Sequence, residues 1–194
     1  MKKQFNYLVT LLIIAQVFNS NMIRAQEKEK IIIQLNPGLS IPVGEASNNL
    51  NIGAGAAGSI HFSLSKSVKL GADMSYQANR GKEAFQNFNV TKLAVDVMWF
   101  PVPLFKRILK NKEDTTVADN LYIGLGFGPS LVSIVKDRVF LGTTQYIGYL
   151  IPLKNENAIN IKLSSPGYII KNQPPDNSSS IYRFVNVSLG YTFR

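Results

Sequence analysis

The chain offers few residues that could do chemistry. Its only histidine is His61, set in the run NIGAGAAGSIHFSLS. Ser59 and Ser63 stand two places to either side, so in an extended strand the three side chains share one face. A nucleophilic serine needs a base in reach and an acid to orient that base. Here the serines are near, but the acid is not supplied locally. The competing reading is a hydrogen-bonded packing histidine among small polar neighbours, and we prefer it. Four isolated charges, Lys69, Asp73, Asp96 and Lys162, fall inside otherwise uncharged alternating runs. They suggest either an ion or proton path or a set of buried pairs. In Leu104–Lys112, Leu104, Phe105, Ile108 and Leu109 could form one face of a short helix, ringed by Lys106, Arg107, Lys110 and Lys112. A cationic amphipathic segment of this kind can lie on an anionic leaflet. The chain has no phosphate loop, metal-ligand spacing or nucleotide fingerprint. We therefore assign no catalytic, cofactor-binding or metal-binding residue and expect no cofactor. N-x-S/T triplets occur at Asn89, Asn177 and Asn186, and we assign them no role.

The elements that must position these residues are strands. Alternation of apolar and polar residues marks a strand whose two faces meet different surroundings. It appears in eight runs: 31–43, 51–64, 68–79, 88–100, 121–135, 139–153, 158–170 and 181–194. In the third run Val68, Leu70, Ala72, Met74, Tyr76 and Ala78 alternate with Lys69, Gly71, Asp73, Ser75, Gln77 and Asn79. The fourth opens with Phe88 and Val90 and then shifts phase to Leu93, Val95, Val97 and Trp99. That shift predicts a β-bulge. The sixth run is the least regular. Glycine-, asparagine- and proline-bearing segments separate the runs, so consecutive strands should pair as antiparallel neighbours.

Ahead of the strands, Lys2 and Lys3 precede an apolar stretch, Tyr7 to Phe18, that is too short to span a membrane, and a small polar segment follows it to Ala25. This is the pattern of a secretory leader. We expect residues 1–25 to be a cleaved signal peptide and residues 26–194 to form one domain. The whole chain has net charge +9 and no cysteine. Without disulfides, stability must come from burial and backbone pairing. Outside Leu104–Lys112 the lysines are scattered or sit in loops, with no aromatic-interleaved basic patch, so nucleic acid is not an expected partner.

The polar faces are rich in Gly, Ser and Asn and poor in charge, whereas the opposite faces are aliphatic. Small polar residues suit the narrow interior of an eight-stranded barrel, which side chains just fill. The aliphatic faces then point to lipid. A tilted membrane strand needs about 9–11 residues, and every run is long enough. Phe62, Trp99, Tyr149 and Phe193 are expected to form an outward aromatic belt at the periplasmic rim. Phe88, Phe140, Tyr168, Tyr182 and Phe184 are expected to form a second belt at the other rim. The four charges become a lumenal salt-bridge network.

With strands so placed, residues 31–194 resemble the small outer-membrane β-barrels of the OmpA/OmpX-like superfamily. The residues that carry the likeness are IIIQLNPGLSIPVGE, NIGAGAAGSIHFSLS and the final VNVSLGYTFR. In that superfamily the last strand ends in alternating apolar residues and an aromatic read by the barrel-insertion machinery. Val187, Leu189, Tyr191 and Phe193 match, although Arg194 displaces the aromatic from the last place. The resemblance implies an all-β, eight-stranded, up-and-down transmembrane barrel in the outer membrane of a Gram-negative bacterium. The expected partners are outer-membrane lipids and the insertion machinery, and the expected state is a monomer. For function we expect a non-enzymatic protein without an open pore that supports envelope integrity or surface contacts. The alternatives are a lipid- or lipopolysaccharide-modifying enzyme, or a soluble periplasmic barrel that binds an apolar ligand.

Overall fold

A computed structural model of the chain describes residues 31–83, 85–101, 120–133, 138–154, 156–171 and 179–193. The expected leader 1–25 and the amphipathic segment Leu104–Lys112 lie outside them. Eight strands are present: β1 (Ile31–Val43), β2 (Gly53–Ser63), β3 (Val68–Asn79), β4 (Phe88–Trp99), β5 (Leu121–Val132), β6 (Arg138–Pro152), β7 (Ala158–Lys171) and β8 (Ser179–Phe193). Each pairs antiparallel with the next, and β8 pairs back onto β1, so the sheet closes into an up-and-down barrel. The ring has no open edge. The rim that carries the start of β1 and the end of β8 is called here the terminal rim. The opposite rim carries a short helix, α1 (Glu45–Asn49), and is called the helix rim.

Alternation sets the pleat, and the pleat sorts the side chains. On β1, Ile31, Ile33, Leu35 and Leu39 are exposed, while Ile32, Gln34, Asn36 and Ser40 are buried in the lumen. On every strand the outward phase is mainly apolar, while the lumen phase is mainly polar or glycine at mid-height and apolar toward the two rims. At the β2–β3 turn, Ser65 Oγ accepts hydrogen bonds from the amides of Ser67 at 3.2 Å and Val68 at 3.0 Å. Gly44 precedes α1 with φ 61° and ψ −134°, a conformation that side-chain-bearing residues avoid. This turn directs Ala46 and Leu50 down onto the barrel mouth, where both are buried.

Two expectations are corrected. The first is the bulge in β4. The β3–β4 register runs unbroken from Val68↔Trp99 to Asn79↔Phe88, with no extra residue on either side. The lumen-facing phase is the same from end to end, so Phe88 and Val90 point inward. They are apolar because the lumen itself turns apolar near the helix rim. The second correction follows from the first. Phe88, Tyr168 and Phe184 are not an outward belt. They are buried together inside the barrel with Ala46, Leu50, Val90 and Val132, and Phe140 and Tyr182 pack against them. The Phe88 ring stacks on Tyr182 at 5.5 Å and on Phe184 at 5.2 Å between centroids. At the terminal rim Phe62, Trp99 and Phe193 do face outward, and Tyr149 is half-exposed in the same phase.

Candidate functional site: a polar lumen between two apolar layers

The lumen is built around small residues that leave room for large ones. His61 on β2 is fully buried and lies over Gly71 of β3, where any Cβ would meet the imidazole. It reaches Asp96 on β4, which is the register partner of Gly71. His61 Nε2 is 2.9 Å from Asp96 Oδ2. The other carboxylate oxygen accepts the Tyr146 hydroxyl of β6 at 2.6 Å. Tyr146 in turn lies over Gly124 of β5, and Tyr122 of β5 lies over Gly148 of β6. Each tyrosine thus covers a glycine on its neighbour strand, an arrangement in which aromatic area shields bare backbone. Tyr122 donates to Asn160 Oδ1 at 2.6 Å, and Asn160 donates to Asn36 Oδ1 at 2.6 Å. The hydrogen-bonded sets His61–Asp96–Tyr146 and Tyr122–Asn160–Asn36 are joined by the edge contact of the two tyrosine rings, 5.9 Å between centroids.

The charges sit above this layer. Asp73 on β3 faces Lys92 on β4 at 4.0 Å, and Lys92 also donates to the Thr144 hydroxyl. Lys162 on β7 has its ammonium 4.2 Å from the centre of the Tyr146 ring, a cation–π contact. Lys69 is at the terminal rim, half-buried, and donates to Ser63 Oγ at 2.7 Å. Among the described residues the lumenal charges thus form no single salt-bridge network: Asp73 faces Lys92, while Asp96 and Lys162 meet through Tyr146. Asp96 pairs with His61, not with a lysine, and Lys162 uses an aromatic face. Buried charges of both signs, each with a partner, are what a dry interior requires.

Between this layer and the helix rim lies a cavity of about 50 Å3, bordered by Asn36, Asp73, Lys92, Lys162, Asn186 and Ser188 among others. One buried water occupies roughly 10–15 Å3 on this measure, so the space suits a few waters, not a substrate. The aromatic cluster with α1 borders it through Tyr168. Met98, Phe100, Tyr122, Tyr146, Leu150 and Ala158 form a second apolar layer toward the terminal rim.

His61, Ser59 and Ser63 are not brought into mutual hydrogen-bond contact. Ser59 Oγ makes no hydrogen bond, and Ser63 is engaged by Lys69. His61 Nδ1 also lacks a partner, so its base position has no nucleophile in contact. Among the described residues no cluster of His, Asp and Glu is arranged to hold a metal. Lys92, Tyr122, Tyr146 and Asn160 are central to the lumen and were not singled out in the sequence. Lys92 was hidden by the phase shift assigned to its strand. The tyrosines were hidden because they sit in the polar phase of their strands.

No protein-family profile matches the chain, and no curated protein matches it by sequence. Solved structures do match. Neisserial surface protein A (NspA) superposes with a TM-score of 0.56 at 10% identity, covering 86% of this chain and 98% of that one. Outer membrane protein AlkL, determined in lipid bilayers, gives 0.43 at 12% identity, covering 86% and 90%. Ail, the attachment invasion locus protein of Yersinia pestis, gives 0.43 at 10% identity, covering 84% and 97%. The fold of this chain is that of the small eight-stranded outer-membrane barrels.

Proposed function

We propose that the chain is an integral outer-membrane protein that is not an enzyme, has no open pore, and supports envelope integrity or surface contacts. The observation that carries this reading is the inverted distribution of side chains. Ile33, Leu35, Leu93, Val95, Leu125, Phe127, Leu163 and Leu189 are exposed, while Gln34, Asp73, Lys92, Asp96, Asn160 and Lys162 are buried. A soluble barrel for an apolar ligand needs the opposite order, so that alternative loses its support. Lipid tolerates only backbone that is fully paired, and a ring of eight strands meets that condition. The outward Val187, Leu189 and Phe193 of β8 keep the apolar series that insertion machinery is expected to read.

The apolar layers toward the two rims, Phe88, Tyr168 and Phe184 at one and Met98, Phe100 and Leu150 at the other, support the absence of a pore. His61 is the strongest point in favour of the enzyme alternative, and its burial and lack of a nucleophile weigh against it. In planar bilayers the purified barrel should give no unitary conductance, and its gel mobility should change on boiling, as intact barrels do. Stable channel openings would remove the closed-lumen reading. Recovery without detergent in a soluble fraction would remove the membrane reading.

A further inference from the structure

The outward face is apolar on most strands, with one interruption within the apolar belt. Thr143 and Gln145 of β6 and Ser165 of β7 all point outward and are exposed. Register brings them together: Gln145 is directly opposite Ser165, and Thr143 is directly opposite Gly167. Gly167 in turn faces the outward Arg183 of β8, nearer the helix rim. Apolar residues flank the patch on β5 to β7, with Leu125 and Phe127 on β5, Leu141 and Ile147 on β6, and Leu163 and Ile169 on β7. Gln145 stands four residues from Tyr149 of the terminal rim and four from Leu141, about 13 Å along the strand each way. That is the middle of the belt, beyond the reach of headgroups. Among the described residues, none of the Thr143, Gln145 and Ser165 side chains makes a hydrogen bond within the chain.

An amide left unpaired in hydrocarbon is costly, and in membranes such groups are satisfied across protein–protein contacts. We propose that the β6–β7 wall is a self-association surface, on which a second copy of this chain docks through Gln145 and Ser165. The inference rests on the membrane reading above and replaces the monomer expected from sequence. A second copy fits the chemistry of the patch. A two-fold axis along the membrane normal brings each residue to the same depth as its counterpart. Gln145 carries both donors and an acceptor, so it can pair with Gln145 or Ser165 of the other copy and no charge need be buried. Gly167, with only the Thr143 hydroxyl near its missing Cβ, at 3.6 Å, lets the second backbone approach.

The chain has no cysteine, which gives a clean background for disulfide trapping. The test uses full-length protein in native outer membranes and in phosphatidylcholine vesicles at high lipid-to-protein ratio. Folding is checked by heat-modifiable mobility. Gln145→Cys should give a covalent dimer on mild oxidation, and Met74→Cys on the far wall should not. The double variant Gln145→Leu with Ser165→Ala should stay folded and associate about tenfold more weakly, as the loss of two membrane hydrogen bonds implies. Equal trapping at both positions, trapping of Gln145→Cys only to a different protein, or a folded, embedded monomer would overturn self-association alone. Recovery in a soluble fraction would overturn it together with the membrane reading.

Discussion

Asp96 serves two donors at once, and both are buried with it. His61 approaches one oxygen and Tyr146 the other, at 2.9 and 2.6 Å. Removing the carboxylate leaves an imidazole and a phenol without their acceptor, at roughly 1–3 kcal/mol each. Asp96→Ala should therefore destabilise the barrel by about 2–6 kcal/mol in urea unfolding followed by Trp99 fluorescence. Asp96→Asn keeps one acceptor oxygen and should cost less. Equal stability of Asp96→Ala and the native chain would show that the layer does not hold the lumen together. The glycines give a second contrast. A methyl at Gly148 runs into the Tyr122 ring, whereas a methyl at Gly167 meets only the Thr143 hydroxyl at 3.6 Å. Gly148→Ala should cost on the order of 1–3 kcal/mol, as overpacking does, while Gly167→Ala should fold with close to native stability. At this scale the sequence was least informative. His61 and its flanking serines were visible, but its partner lies 35 residues away on another strand. Only the barrel register brings Gly71 between them.

At the scale of elements, alternation located all eight strands because each strand separates two unlike surroundings along its whole length. It misled where the surroundings change along one face. The lumen is polar at mid-height and aromatic at the helix rim, so Phe88 and Val90 imitate a change of phase that the register does not contain. The same cause turned an expected outer belt into an inner plug. Helix α1 spans only five residues, too few for a helical period to show in sequence, so the segment between the first two runs carries no helical signal. Phe88→Ala tests the corrected placement. With Phe88 buried against Tyr168, Tyr182 and Phe184, the truncation should open a cavity and cost about 3–5 kcal/mol. Val95→Ala, on the lipid-facing side of the same strand, leaves no cavity and should cost well under that. If the two variants unfold at the same urea concentration, Phe88 does not belong to the plug.

For the whole molecule, the question is which solvent the apolar wall meets. Inside-out patterning was legible in composition, because Gly, Ser and Asn share one phase of nearly every run and Ile, Leu and Val the other. The polar interruption on β6 and β7 was legible only as irregularity, since register was needed to place Gln145 beside Ser165. A substitution at the centre of an intact stretch of the wall separates lipid from water. Met74 lies midway along β3, exposed, between Ala72 and Tyr76 on the same face. In water, an exposed Met→Arg change falls within about 0.5 kcal/mol of neutral. At the midplane of a bilayer, an arginine on the lipid face of a barrel costs about 2–4 kcal/mol. The expected outcome is therefore that Met74→Arg loses about 2–4 kcal/mol when refolded into vesicles, read from urea titrations against the native chain. Moving the arginine to the terminal rim, at Phe62, should reduce the loss to about 0–1 kcal/mol beyond that of removing the ring itself. A flat profile between the two depths would mean that this wall does not meet hydrocarbon, whatever the closure of the strands allows.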